Sequence, residues 1–230
     1  MKLPIRLQIC KRSDPLYQEF RNRHYVTNRG CHGQQLHYLV WLEEQLLGII
    51  SGASAVYSVK PRDEFFGITK EHRKAQLNSI INNVVFRIED APRNAATQVL
   101  AMWRKRIAAD WEYLYGVPVA GFETFVIEGS EDDRGAVCTD KNRTGALYLA
   151  DNWTALGLTQ GSTKAHGKGG MESTSTRRSV CQKLILVRKV KGVPLCTEYE
   201  SSWKDPERSK QVGKRRQNLF REVHNSHDVS

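Results

Sequence analysis

A chain of 230 residues with 40% hydrophobic and 26% charged side chains has room for one sizeable core, or for one domain with an appendage. No apolar run approaches the roughly 18–20 residues that span a bilayer, and the N-terminal Met-Lys-Leu-Pro-Ile-Arg-Leu lacks the apolar stretch of a secretory signal. A cytoplasmic protein with no membrane partner is therefore expected.

The net charge of +10 is concentrated: residues 164–230 hold 15 Lys/Arg against 7 Asp/Glu, which leaves +2 for the first 163. That asymmetry indicates either an anionic partner, nucleic acid with DNA favoured, or a solvated tail. Five well-separated cysteines (Cys10, Cys31, Cys138, Cys181, Cys196) with no Cys-x-x-Cys read as reduced thiols rather than a disulfide framework or a zinc site. Nothing in the composition indicates an oligomeric state.

An initial strand leads to Asp14-Pro15, an N-cap followed by proline at the first helical position, which predicts a helix to about His24. A polar loop then carries His24, Tyr25, His32, Gly33 and Gln34. Leu36 to Leu42 and Leu46 to Val59 read as paired strands, with Gly48 and Gly52 marking a bulge or a close backbone approach. Pro61-Arg62-Asp63 reads as the start of a polar linker, and Thr69 as the N-cap of a helix to Ile80.

Asn82 to Ile88 is the next strand. Pro92 opens a long helix from Asn94 to about Tyr115, where Val99, Met102, Trp103, Ile107 and Trp111 recur at helical spacing. The apolar run Gly121–Ile127 reads as a buried strand with polar groups gathered after it, and Gln182 to Val190 as a last strand. Residues 200–230 are polar and basic, with no more than a short helix near 214–223. The element order predicts an α+β fold, a central mixed sheet flanked by helices. The boundary falls near 163: a core over 1–163, then a basic segment over 164–230 that adds one strand and a flexible polar tail.

Three blocks carry a family likeness. They are His24-Tyr25 with His32-Gly33-Gln34-Gln35-Leu36-x-Tyr38-Leu39-Val40, then Asn82-Asn83-x-x-Phe86-x-Ile88, then Glu123-Thr124-Phe125-Val126 with Gly145-x-x-Tyr148-x-Ala150-x-Asn152-Trp153-x-x-Leu156-Gly157. Together they resemble the DruA-type domain of the Druantia anti-phage system, also described as transposase-like, over about residues 17–190. The last block is more loosely similar to the Mom protein of phage Mu. Mom-like proteins have a GNAT acyltransferase-like fold and modify adenine in DNA, which protects phage DNA from restriction.

That likeness implies a GNAT-like mixed sheet. It places Thr124 where Mom has a functional serine and Tyr148 where it has a functional tyrosine. It also implies an acyl-CoA or another activated acyl donor lying against helix 94–115. The chain departs from the pattern in three places. The turn Glu89–Ala96 contains no glycine, Ile127 followed by Glu128 stands at the Mom-type aspartate, and a longer insertion separates Glu128 from Arg143.

The residue types suggest roles for the candidates. Arg93, Asn94, Ala95 and Ala96 at a helix start can bind phosphate, or form an ordinary helix start. A phenol such as Tyr148 can serve as a general acid or positioning donor, or as a core aromatic, and Thr124 can accompany it in either role. Glu123 and Thr124 are adjacent in a strand and should face opposite ways. Glu123 is then either a base or a structural ion pair, with Arg87 or Arg143 as the available partner.

Asn82 and Asn83 can read an adenine edge or cap a turn. Trp153 can stack on an extruded base or fill the core. His24, Tyr25, His32, Gln34, Arg143 and Asn152 would line the site, while the histidine spacing argues against a metal. Arg177, Arg178, Lys214, Arg215 and Arg216 would contact phosphates. The leading expectation is a Mom-like, GNAT-fold transferase acting on a DNA base amine, in phage–host conflict or as part of a defence system. The alternative is a non-catalytic DNA-binding component of a DruA-like defence or mobile-element system.

Overall fold

The computed structural model describes residues 2–26, 33–132, 137, 142–159, 182–198 and 205–225. Its strands are β1 (Ile5–Cys10), β2 (Gln35–Leu42), β3 (Gln45–Ser54), β4 (Ile80–Ile88), β5 (Gly121–Val126), β6 (Thr154–Leu158) and β7 (Leu184–Lys189). Among the described residues they form one seven-stranded sheet in the order β1-β2-β3-β4-β5-β7-β6. Neighbours are antiparallel except β4 and β5, which run parallel. The expected α+β class, a central mixed sheet flanked by helices, is borne out.

Helix α1 (Pro15–Asn22) starts as its sequence dictates, with the Asp14 carboxylate accepting from Leu16 N at 3.0 Å and proline in the first turn. It ends two residues short of His24. The expected strand to Val59 stops at Ser54, because the chain turns there to form α2 (Lys60–Phe66). This helix replaces the expected linker: Pro61 starts it, and Gly67 ends it at a left-handed φ of 75°. Helix α3 (Arg73–Asn78) begins three residues later than expected, with His72 at the N-cap position, and ends at Asn78 rather than Ile80. Thr69 instead braces the preceding turn, its hydroxyl accepting from His72 N and its amide donating to Gln76 Oε1.

Helix α4 (Ala95–Tyr115) crosses from β4 to the parallel β5, as a parallel pair requires. Its stripe Val99, Leu100, Trp103, Ile107, Trp111 and Leu114 is wholly buried against β2, β3, β4 and β5. Gly52 is what allows this packing: a Cβ there would lie 2.3 Å from Ile107 Cδ1 and 2.7 Å from Ile81 Cγ2. Close approach and bulge both hold for this strand. The β3–β4 register pairs Ser51 with Val85 and Gly52 with Asn83, leaving Val84 as the extra residue of a bulge. Helices α1 and α2 cover the opposite face through separate clusters centred on Tyr17 with Phe20 and on Phe66 with Ile80.

The C-terminal segment contributes more than a tail. Strand β7 lies between β5 and β6, with Ile185, Leu186 and Val187 buried. Helix α6 (Pro206–Asn225) is 20 residues long where a short helix was expected. It packs on α4 and β1 through Leu219 with Val212 and Phe220. An apolar spacing carried by few residues among many charges is what hid it. No helix among the described residues is long and apolar enough to cross a membrane.

Candidate active site

The parallel pairing of β4 with β5 covers four residues, Ile80 with Gly121 through Asn83 with Thr124. Beyond that point β4 continues along β3 to Ile88, while β5 continues along β7 to Val126. The two strands therefore part at Asn83 and Thr124, beside the Val84 bulge. Polar side chains gather at this fork.

Helix α5 (Ala146–Ala150) brings Tyr148 to the fork on the α4 face. It follows Gly145, whose left-handed φ of 71° starts the helix and whose missing Cβ leaves room for Leu184 and Leu186. Asp151 anchors the end of α5. Arg104 of α4 donates to its two oxygens at 2.6 and 2.7 Å, Trp153 Nε1 donates to Oδ2 at 2.9 Å, and Arg188 of β7 donates to its backbone carbonyl. Asp151, Arg104 and Arg188 escaped the sequence reading. Their partners lie up to 47 residues away, so no local spacing reveals them.

The Tyr148 hydroxyl donates to Asn83 Oδ1 at 2.7 Å, and the Thr124 hydroxyl donates to the Asn83 carbonyl at 2.9 Å. Asn83 Nδ2 in turn donates to Ser51 O at 3.0 Å and Val85 O at 3.3 Å. Burial pushes the Tyr148 phenol well above its ordinary range, the nearby Tyr25 pushes it further, and Thr124 pulls the other way. The phenol therefore stays protonated and acts as a hydrogen-bond donor. Trp153 is buried edge-on between Tyr148 and Phe122, which makes it core rather than a stacking platform.

Glu123 faces away, as strand alternation requires. Its carboxylate accepts from Val56 N at 2.7 Å and from Arg62 of α2. Arg62, wholly buried, also donates to Asp63 Oδ1 at 2.7 Å and to Val56 O, and Arg73 completes the chain by donating to Asp63 Oδ2 and Tyr57 O. The expected partners of Glu123 were Arg87 and Arg143, and neither serves. Arg87 pairs with Glu89 and donates to Arg23 O, while Arg143 donates to Ile127 O and Glu131 O. Burial raises the Glu123 carboxyl from 4.5 to about 7 even though Arg62 opposes the shift.

A pH dependence follows. Folded Glu123 holds its proton between 4.5 and about 7 while the unfolded chain has released it, so stability falls as pH rises through that window. The full contribution is present below 4.5 and gone above about 7, a change on the order of 3 kcal/mol at about 1.4 kcal/mol per pH unit. Thermal unfolding of wild type and Glu123→Gln across the window should show the difference moving in the variant's favour. A flat difference would contradict the assignment.

At the outer end of the fork, His24 is buried, stacked at 4.5 Å on Tyr25, and accepts from Val26 N. Burial, with Arg21, Arg87 and Arg143 nearby, lowers it to about 3, so it is neutral at physiological pH. The Arg143 guanidinium lies 4.1 Å over the Tyr25 ring. Gln34 sits apart, bracing Ser54 through its backbone. Asn152 is an exposed turn residue at φ 59° after α5.

Asn82 lies beside Glu123 across the β4–β5 pair, buried, and its Oδ1 has no hydrogen-bond partner. An amide oxygen left in that state costs about 1–3 kcal/mol. Among the described residues no three His, Cys, Asp or Glu side chains converge on a metal-sized site. His32, Arg177 and Arg178 lie outside the described residues.

The donor-end candidates are at the start of α4. Arg93 and Asn94 are exposed, Asn94 has a φ of 67°, and the helix has no side-chain cap. Ala95 N already donates to Pro92 O at 3.1 Å. On α6, Arg208 donates to Tyr115 O, Arg215 to Tyr113 O and Arg216 to the Tyr115 hydroxyl, all at the C-terminus of α4, where carbonyls favour cations. Lys214 is exposed beside them.

A family model described as Druantia protein DruA matches residues 2–183. No curated protein matches the chain. Among solved structures, a Bacillus subtilis acetyltransferase in complex with CoA is 8% identical at a TM-score of 0.45, with 81% of this chain and 99% of that one covered. A GNAT family acetyltransferase from Elizabethkingia anophelis with acetyl-CoA bound is 9% identical at 0.44, covering 82% and 100%. An acetyltransferase from Thermus thermophilus is 9% identical at 0.41, covering 82% and 98%.

Proposed function

The chain belongs to the Druantia protein DruA family, and from that premise we propose that it is a transferase moving an acyl group from an activated donor to a nucleobase amine in DNA, adenine first. The carrying observation is the fork of β4 and β5 with Tyr148, Thr124 and Asn83 gathered at its apex. A fork between parallel strands accepts an extended ligand from the α4 side, and the uncapped α4 N-terminus with Arg93 suits the anionic end of an acyl-CoA. When bound, such a donor supplies an electrophilic thioester carbonyl.

The chain's own contribution is positioning. Tyr148, kept neutral by burial, turns its hydroxyl from Asn83 toward developing negative charge, and Thr124 holds the Asn83 backbone from which the phenol swings. Lys214 and the partly satisfied arginines of α6 meet DNA phosphate, which fixes orientation without reading sequence. The adenine target rests on the resemblance of the Glu123–Leu156 block to Mom, under which Tyr148 and Thr124 would hold functional positions.

Mass spectrometry of nucleosides from DNA of cells expressing the chain tests this reading. A new adenosine adduct is the expected result. An unchanged profile from cells containing soluble, DNA-binding protein would reject it. That outcome favours the second reading, a DNA-recognition component without catalysis. The observation on its side is that the Tyr148 proton is already given to Asn83.

A further inference from the structure

We propose that Asn82, and not its neighbour Asn83, recognises the acceptor, by taking the exocyclic amine of an adenine on the sheet face that carries α2. The inference rests on the nucleobase reading above and adds the recognising residue and the side of approach.

The two asparagines are consecutive and equally buried, yet the fold treats them oppositely. Every polar atom of the Asn83 side chain is occupied, Nδ2 by two backbone carbonyls and Oδ1 by Tyr148. It is framework. The Asn82 amide oxygen is buried and has no partner. Buried polar groups are satisfied in the great majority of cases, and a bare one marks a place where a partner is missing.

The surroundings say what kind of partner fits. Asn82 is the Cα partner of Glu123, so both side chains lie on the same face of the sheet. The Glu123 oxygens are already filled by Val56 N and Arg62, so they leave the amide oxygen open. The one open acceptor, Asn82 Oδ1, calls for an N–H donor. The segment bonded to Glu123 ends in Val56 and Tyr57, 42% and 61% exposed, so the chain is open to solvent where it leaves that bond. An unpaired amide suits a flat base that carries an amine: Oδ1 accepts from the exocyclic N–H while Nδ2 donates to a ring nitrogen. The α4 face holds Tyr148 and Thr124, and the α2 face holds Asn82 and Glu123. Donor and acceptor would then meet at the fork from opposite sides of the sheet.

The test uses the full chain and two short single-stranded oligonucleotides, one with a central adenine and one with purine, which lacks the amine, at that position. Fluorescence anisotropy should show the adenine probe binding about tenfold or more tightly. Asn82→Leu should bring adenine down to the purine level without lowering the melting temperature, because replacing an unpaired buried amide by an isosteric apolar group removes no bond. Equal binding of the two probes by wild type overturns the proposal, and needs no variant. Unchanged discrimination by Asn82→Leu also overturns it, as does a melting temperature lowered by that change, which would mean the amide has a structural partner. Adducts formed without Asn82 dependence sink this inference alone. Asn82-dependent binding without adducts sinks the transferase reading and leaves this one standing.

Discussion

At about pH 8, above the window in which Glu123 keeps its proton, replacing Arg62 with methionine is expected to remove about 3–5 kcal/mol of unfolding free energy, the typical penalty for stranding one half of a buried ion pair. Arg62 has no exposed surface, and its guanidinium serves Glu123, Asp63 and the Val56 carbonyl together. Methionine matches its length but leaves the Glu123 carboxylate with a single donor, the Val56 amide. Asp63 keeps Arg73 and is hurt less. The double change Arg62→Met with Glu123→Leu removes both charges and should recover most of the loss, since apolar pairs of similar volume are often neutral replacements. Urea unfolding of wild type, both single variants and the double variant measures the coupling directly. A single-variant loss within the range of a surface pair, below about 1 kcal/mol, would show that Arg62 is not what holds Glu123.

The ion pair also marks where the sequence could be read and where it could not. Strand alternation placed Glu123 and Thr124 on opposite faces, and the structure has them so, because period two is a local property of extended backbone. The partner of Glu123 is 61 residues away in a stretch that reads as linker, and only tertiary packing brings it there. Yet α2 carried ordinary signals in Pro61 and Gly67, a proline start and a glycine stop, which a search for apolar periodicity passes over. Helix α4 was legible because Val99, Met102, Trp103, Ile107 and Trp111 recur at helical spacing, and all but the partly buried Met102 are fully buried.

Side-chain hydrogen bonding was the least legible layer. Asn82 and Asn83 are indistinguishable as residue types. The fork between β4 and β5, with the Val84 bulge beside it, fixes one amide and leaves the other bare. Trp153 looked equally suited to stacking and to packing, and burial between Phe122 and Tyr148 decides for packing. The candidate site is thus a product of register. A sequence shows which polar residues border the strand ends, but not which of them the neighbouring strands will satisfy.

Under the transferase proposal, Tyr148→Phe should lower adenosine modification by about 10²-fold or more, the usual range for losing a positioned acid or donor. The ring is retained, so the edge contact with Trp153 at 5.1 Å survives and α5 stays anchored through Asp151. What goes is the hydroxyl, and with it the bond to Asn83 Oδ1, which becomes a second bare amide oxygen at the fork. That vacancy costs about 1–3 kcal/mol of stability, so activity must be compared below the variant's own melting transition. Thr124→Val separates the two effects: it removes the hydroxyl bonded to the Asn83 carbonyl but leaves Tyr148 its proton. If the phenol acts on the reacting group, the valine variant keeps most of its activity and the phenylalanine variant does not. If the phenol only secures Asn83, both variants lose stability and neither loses modification once folded. The phenol is held above its ordinary range by burial, so its donor role should also be constant from about pH 6 to 9, and a titration of activity in that interval must come from another group.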